Sequence, residues 1–196
     1  MIICCLDLEG VLVPEIWIEV SKKTGIRDLR FTTRDIPDYD ALMKRRLKIL
    51  RDHKLKLRDI QAVIRGIRPL PGAKAFLDEL RRRSQVVILS DTYEEFARPL
   101  MEKLGFPTLF CNHLRTDKKG FIVSYHLRQK NGKEKAVTAL KKIGFSVRAA
   151  GDSYNDITML RAANRGVLFN PPANIVEEYP RFKVARNYRD LLQNLT

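Results

Sequence analysis

The run Ile2-Ile3-Cys4-Cys5-Leu6-Asp7-Leu8-Glu9-Gly10-Val11 decides the fold: apolar, β-prone residues end abruptly in two carboxylates two positions apart, followed by a glycine. A short, unbroken apolar run closed by a turn signal reads as a strand buried on both faces, and such strands belong to parallel sheets covered by helices. In open α/β sheets, ligands bind beyond the carboxyl ends of the strands. Side chains two apart on an extended segment point the same way, so Asp7 and Glu9 converge on one site if the extension continues through Glu9. The plainer alternative is a turn carrying two solvated acids.

Two further apolar runs stop in the same manner. Residues 85–89 stop at Ser90-Asp91-Thr92, and residues 147–150 stop at Gly151-Asp152-Ser153-Tyr154-Asn155-Asp156. Helical periodicity separates them, over about 72–83, 93–104 and 132–143, and again up to 163 and from 188 onward. A short strand is expected near Leu109-Phe110, a β-hairpin over 114–127 about Asp117-Lys118-Lys119-Gly120, and a strand over 166–169. Strands alternating with helices imply an α/β fold with a parallel sheet and right-handed crossovers. Three helical stretches, 15–24, 39–52 and 56–67, interrupt this alternation directly after the first strand and end at the breaker cluster Pro69-Leu70-Pro71-Gly72. Residues 14–70 are therefore read as a helical cap inserted into a core made of residues 1–13 and 71–196.

Composition narrows the class. The 196 residues are 44% apolar and 31% charged, as in ordinary soluble globular proteins. No stretch approaches the roughly 20 apolar residues of a membrane span, and the N-terminus lacks the features of a secretion signal, so a cytoplasmic protein is expected. Cys4, Cys5 and Cys111 are odd in number and form no Cys-x-x-Cys pair, which favours reduced packing residues. The net charge of +14, from 37 Lys and Arg against 23 Asp and Glu, attracts anions without naming them. Because the basic residues are scattered, with no basic tail or aromatic-interleaved tract, nucleic acid is not an expected partner.

The three strand ends carry Asp7 and Glu9, then Ser90, then Asp152 and Asp156. If the strands are neighbours, these residues share one crevice. Two or three carboxylates with further oxygen donors suit Mg²⁺, which prefers a few carboxylates, waters and substrate phosphate. A metal, a hydroxyl and a lysine around an aspartate suit phosphoryl transfer, and the carboxylate can itself be the nucleophile.

Taken together, Asp7-Leu8-Glu9-Gly10-Val11, Ile88-Leu89-Ser90-Asp91-Thr92, a lysine in Asn131-Gly132-Lys133-Glu134-Lys135, and Gly151-Asp152-Ser153-Tyr154-Asn155-Asp156 resemble, in order, the four motifs of the haloacid dehalogenase superfamily of aspartate-nucleophile phosphatases. The resemblance spans nearly the whole chain and implies a Rossmann-like core with a small helical cap. Within the superfamily the chain resembles the phosphoserine phosphatases. The stretches Leu8-Glu9-Gly10-Val11-Leu12-Val13-Pro14-Glu15-Ile16-Trp17 and Thr33-Arg34-Asp35-Ile36-Pro37-Asp38-Tyr39 are similar to the branch that also transfers the phosphoryl group to homoserine.

That resemblance implies a role for each matching position. Asp7 would attack phosphorus and bind Mg²⁺. Glu9 would protonate the leaving serine oxygen and later deprotonate the acceptor, its carbonyl binding the metal. Ser90 would hydrogen-bond the phosphoryl group, and Lys133 would balance charge, with Lys135 as the alternative two residues on. Asp152 would complete the metal shell, with Asp156 and Asn155 supporting the loop. In the cap, Glu15 would take the substrate ammonium and Arg46 its carboxylate. The superfamily allows homodimers and implies a place in serine and amino-acid biosynthesis.

Each residue has a plainer rival. Ser90 and Asp156 could cap helices, Lys133 and Arg46 could be solvated, and Glu15 could complement a helix dipole. Two positions depart from the pattern. Glu9 replaces the usual Asp while keeping a carboxyl for acid/base work. Asp91 replaces a glycine and would repel a phosphate unless paired or turned away. The rival functions are a phosphatase of the same fold for another small phosphomonoester, and a catalytically silent basic domain that binds nucleic acid.

Overall fold

The computed structural model describes residues 1–32, 35, 36 and 38–196; Thr33, Arg34 and Pro37, from the 33–39 stretch quoted above, lie outside the described residues. The chain runs β1 (Ile2–Leu6), α1 (Ile16–Thr24), a 3₁₀ turn (Arg27–Arg30), α2 (Tyr39–Asp52), α3 (Leu57–Gly66), α4 (Ala73–Arg83), β2 (Gln85–Tyr93), α5 (Glu94–Leu104), β3 (Thr108–Thr116) and β4 (Ile122–His126). It continues through α6 (Gly132–Lys142), β5 (Ser146–Gly151), a second 3₁₀ turn (Tyr154–Asp156), α7 (Ile157–Ala162), β6 (Arg165–Phe169), α8 (Ala173–Glu178), β7 (Lys183–Ala185) and α9 (Tyr188–Leu195).

The strands form one sheet in the order β4-β3-β2-β1-β5-β6-β7. All neighbours are parallel except β3 and β4, which pair antiparallel as a hairpin. From β1 the chain builds outward first through β2 and β3, then on the other side through β5, β6 and β7. The switch point, where a crevice opens at the carboxyl ends, thus falls between β1 and β5. Leu6 pairs with both Ile88 and Ala150 in register, so the polar residues after β1 and β5 emerge side by side.

Alternation along β1 builds a core on each face of the sheet. Cys4 and Leu6 join one apolar cluster with Phe76 of α4, Phe96 and Leu100 of α5, and Leu191 of α9. Ile3 and Cys5 join the other with Val137 of α6, Met159 of α7 and Ile175 of α8. Helices thus cover both faces, as the unbroken apolar run of β1 requires. The cysteines are free, Cys4 and Cys5 fully buried and Cys111 half-buried.

The helices of residues 14–70 share the first of these cores: Trp17, Val20, Met43, Leu50, Ile60 and Ile64 belong to the same cluster as Phe96. Helix α2 begins at Asp38, whose carboxylate accepts the Ala41 N–H, and buries Leu42, Met43, Arg46 and Leu50 along one stripe. Helix α3 packs against α1 and α5. Lys103 of α5 donates to the carbonyls of Arg65 and Ile67 at the end of α3. The chain then returns to the core where the Leu70 N–H meets the Leu12 carbonyl at 2.9 Å.

Four details differ from the sequence reading. Strand β2 does not stop at Leu89 but runs to Tyr93, with its pairing to β3 shifted between Leu89 and Tyr93. Such a bulge re-aims side chains beside a site. The short strand near Leu109 is the start of a nine-residue β3 that continues into the hairpin. The six-residue α8 and three-residue β7 are too short to show a period. Extension ends at Leu6: Glu9 makes an isolated bridge to Val13, and Gly10 turns the chain at φ +76°.

Candidate active site

Asp7 emerges at the end of β1, its N–H bonded to the Ala150 carbonyl at 2.9 Å, and is only 4% exposed. Its Oδ1 accepts the Leu8 N–H at 2.7 Å and lies 2.9 Å from Lys133 Nζ. The same ammonium is 2.8 Å from Asp156 Oδ1 and 3.6 Å from Asp91 Oδ2. Lys133 is buried on the first turn of α6, on the same face as Val137, whereas Lys135 is exposed. Lys133, rather than Lys135, thus reaches the strand ends.

Asp156 is fully buried and accepts the Asp152 and Ser153 N–H groups at 3.0 and 3.2 Å, closing the second 3₁₀ turn as a capping box. Asp156 thus makes no side-chain cap for the following α7; its carboxylate closes the turn before it and also holds Lys133. Ser90 caps no helix. It is buried, its Oγ accepts the Thr92 N–H at 3.2 Å, and the cap position of α5 is Tyr93.

One ligand oxygen from each of Asp7, Asp152 and Asp156 falls within 4.8 Å of the others. Gly10 makes room for this cluster, because a Cβ there would lie 2.4 Å from the Asp152 carboxyl carbon. Gly151 likewise leaves space that a Cβ would take from Asp156, 2.3 Å away. Burial, Asp156 and Asp152 push the Asp7 carboxyl well up, against the pull of Lys133. Burial alone would lower Lys133, but Asp156, Asp7 and Asp91 reverse this and hold it well above its ordinary value.

Asp91 is paired, as its departure from glycine demands. Its half-exposed carboxylate faces Lys133 and accepts the amide of exposed Asn155 at 3.1 Å. Its peptide carbonyl accepts from Asn112 Nδ2 at 3.1 Å. Ser90, Asp91, Lys133 and Asn155 line a cavity of about 840 Å³, walled further out by Phe110 and Arg128.

Glu9 and Asp7 do not face the same partners. The Gly10 turn sends the Glu9 carboxyl to the helical layer, where Oε2 accepts the Ile16 N–H at 2.8 Å. Burial and the neighbouring Glu15 carboxyl push Glu9 up to about 8, opposed by the Ile16 hydrogen bond and Arg46. Glu15 precedes α1 and makes no capping bond there. Arg46 is 7% exposed, not solvated, and its guanidinium stacks 4.6 Å over the Trp17 ring. One of its nitrogens donates to the Phe31 carbonyl at 2.8 Å, while buried Nε has no protein partner. Burial lowers Arg46, countered by Glu9, Tyr39, Tyr93 and Glu15.

Sequence reasoning missed the aromatic residues around this layer. Trp17, Phe96, Tyr93, Tyr125 and Tyr39 make successive edge contacts at centroid distances of 5.6 to 6.3 Å. For Tyr93 a signal existed in its position two residues past Asp91 on the same strand.

A doubly wound sheet whose switch point gathers three carboxylates and a buried lysine defines a class of hydrolase. The chain belongs to the haloacid dehalogenase-like hydrolase family, which it matches over residues 3–164. It is 59% identical over 189 residues to a phosphoserine phosphatase of Pseudomonas syringae pv. tomato, spanning 96% of this chain and 80% of that protein. It is also 58% identical over 191 residues to the phosphoserine phosphatase ThrH of Pseudomonas aeruginosa, spanning 97% and 93%. A solved phospho-aspartyl intermediate analogue of phosphoserine phosphatase shares the fold at TM-score 0.81 and 21% identity, with 99% of this chain and 98% of that one covered. No helix among the described residues is long and apolar enough to cross a membrane.

Proposed function

We propose that this chain is a Mg²⁺-dependent phosphoserine phosphatase that works through a phospho-Asp7 intermediate and can pass the phosphoryl group to homoserine as well as to water. One observation carries the reading: the buried Asp7–Lys133 pair stands two residues along the chain from Glu9, whose carboxyl meets Glu15 and Arg46 of the helical layer. Those groups match the parts of a phosphorylated amino acid. The Arg46 guanidinium, with its unpartnered Nε, suits the substrate carboxylate. Glu15 suits the ammonium. In this reading residues 14–70 act as a cap that sets specificity, and the close relatives named phosphoserine phosphatase support the choice of substrate.

The carboxylate cluster fits a divalent cation. Its donors are hard oxygens, two of them on buried residues, and Gly10 leaves the space beside Asp152 that any side chain would fill. Asp7, Asp152 and the Glu9 carbonyl would hold Mg²⁺, which would supply positive charge to the phosphoryl oxygens. Asp156 and Asn155 keep the loop in place.

The residues divide the work as follows. Asp7 attacks phosphorus while Lys133 Nζ and Ser90 Oγ bind the equatorial oxygens. The bond from phosphorus to the serine oxygen breaks, and Glu9, protonated near neutral pH, gives its proton to that oxygen. Glu9, now ionised, takes a proton from water or from the homoserine hydroxyl. The resulting oxygen attacks phosphorus and Asp7 leaves as carboxylate. The cap decides the outcome by excluding water and placing the acceptor.

The test is to supply L-phosphoserine and Mg²⁺ with and without L-homoserine and to follow free phosphate and phosphohomoserine together. Phosphohomoserine rising at the expense of phosphate supports one shared phospho-enzyme. Phosphate alone restricts the enzyme to hydrolysis, and neither product refutes the substrate.

A further inference from the structure

Helix α2 carries Arg46, and its first turn is bonded to the strand that carries Ser90. The Tyr39 and Tyr93 hydroxyls are 2.7 Å apart, and the Tyr39 hydroxyl also donates to the Asp91 carbonyl at 3.4 Å. With the Tyr39 proton so used, Tyr93 is the donor to Tyr39, which gives a directional chain Tyr93 to Tyr39 to Asp91. Tyr93 is 1% exposed, and a buried tyrosine hydroxyl needs a partner. Here the partner comes from the helical layer rather than from the strand's own surroundings. Next to it, Tyr125 of β4 donates to Asp40 at 2.5 Å, and the Tyr39 and Tyr125 rings meet edge to face.

We propose that Tyr39 and Tyr93 are positioning residues whose hydroxyl chain latches α2 onto β2 and so holds Arg46 over the phosphoryl corner. The proposal deepens the phosphoserine reading and rests on it for the substrate. Two observations carry it beside the chemistry of the hydroxyls themselves, which add nothing to ring packing and bond across the junction of α2 with β2. The chain ends on Asp91, whose carboxylate is 3.6 Å from Lys133 and bonded to Asn155, so the latch meets the catalytic ions through a single residue. At the other end, Tyr93 contacts Phe96, Phe96 contacts Trp17, and Arg46 stacks on Trp17. The latch and the guanidinium thus bracket one packed unit. Removing either hydroxyl reduces the closed population, and an opened cap binds the amino-acid part of the substrate less tightly.

The test uses Tyr39→Phe, Tyr93→Phe and the double variant. Tyr93→Phe, which removes one hydrogen bond, should raise KM for L-phosphoserine about fivefold with kcat changed less than about twofold, and Tyr39→Phe, which removes both, should raise it at least as much. The KM for a small aryl phosphate, which offers Arg46 nothing to grip, should not move. The double variant should be no worse than Tyr39→Phe, since both bonds run through the Tyr39 hydroxyl. Amide hydrogen exchange over residues 41–46 should quicken in both singles, and no less in Tyr39→Phe. Additive losses, equal losses on both substrates, or unchanged exchange overturns the latch. If the wild type does not turn over L-phosphoserine, the substrate reading falls, and amide exchange in α2 alone decides the latch.

Discussion

Replacing Lys133 by Met removes the cation at the centre of the site while keeping its length and most of its volume. Lys133 is 5% exposed and lies 2.9 Å from Asp7 and 2.8 Å from Asp156, themselves 4% and 0% exposed. Both ion pairs recorded for these two carboxylates among the described residues are with this lysine. Removing one partner of a buried pair costs about 3–5 kcal/mol, because the charge left behind stays desolvated. In a chain of this size each kcal/mol is worth about 2–4 °C, so the melting temperature should fall by roughly 6–20 °C at about pH 7 in chelator.

The pH dependence fixes the cause. Without Lys133, the Asp7 carboxyl, already held well up by burial, rises further above its unfolded value. The penalty is then full above that raised value and fades as pH falls through it toward about 4. The gap between wild type and Lys133→Met should therefore narrow at about pH 5, and added Mg²⁺ should recover part of it by restoring positive charge. Circular-dichroism melts across pH, with chelator and with Mg²⁺, read this directly. A melting temperature within about 2 °C of wild type at neutral pH, or a gap that does not close in acid, would refute the reasoning. Turnover should fall about 10²–10³-fold, the usual loss of one preorganised charge partner.

Arg46→Ala should raise KM for phosphoserine about 10- to 100-fold, the worth of charged hydrogen bonds to a carboxylate, with little change for a small aryl phosphate; equal effects on both would show that Arg46 does not read the carboxylate. With Glu9 held near 8, its proton is present below that pH and lost above it. The kcat/KM for phosphoserine should therefore fall as pH rises through about 8, and Glu9→Gln should erase that limb for an aryl phosphate whose leaving group needs no proton. Gly10→Ala combines a backbone at φ +76° with a Cβ 2.4 Å from the Asp152 carboxyl carbon. It should cost about 1–2 kcal/mol in a melt and shift the Mg²⁺ titration of activity to higher concentration; a normal Mg²⁺ midpoint would separate Asp152 from the metal.

The strand ends were legible because burial and polarity change there in one step. An apolar run covered by helices on both faces cannot carry Asp7 or Asp152 until it leaves the sheet, so the sequence marks the point of exit; at Ser90 it marks instead the place where the pairing of β2 with β3 shifts, since β2 runs on to Tyr93. The two acids after β1 were read less well. Period-two spacing brings Asp7 and Glu9 together only where extension continues through Glu9, and that condition fails: Gly10 turns the chain and gives Glu9 a different set of neighbours from Asp7. Arg46 ends the basic run Lys44-Arg45-Arg46, where a solvated face is the plainer reading. Its spacing from Leu42, Met43 and Leu50 on α2 already places it on the buried stripe, so periodicity could have separated it from its neighbours. The same reasoning favours Lys133, which shares a face with Val137, over Lys135.

The contacts between Tyr39, Tyr93 and Tyr125 join residues 32 to 86 positions apart in the chain. No local pattern encodes such pairs, because they depend on how α2 settles against β2 and β4. The bulge that carries Tyr93 toward them lies in β2 and β3 pairing, equally invisible to a one-strand reading. The fold was therefore recoverable from hydrophobic pattern, and the acidic corner from where that pattern breaks. The docking of the helical layer was not.

The central claim is that Asp7 carries the phosphoryl group during turnover. Rapid acid quenching of the enzyme mixed with L-phosphoserine and Mg²⁺, followed by peptide mass spectrometry, tests it most directly. The account predicts one phosphoryl group on the peptide containing Asp7, present during turnover and absent in a folded but inactive Asp7→Asn variant. Sustained phosphate release with no phosphoryl group on that peptide, or normal turnover by Asp7→Asn, would contradict it.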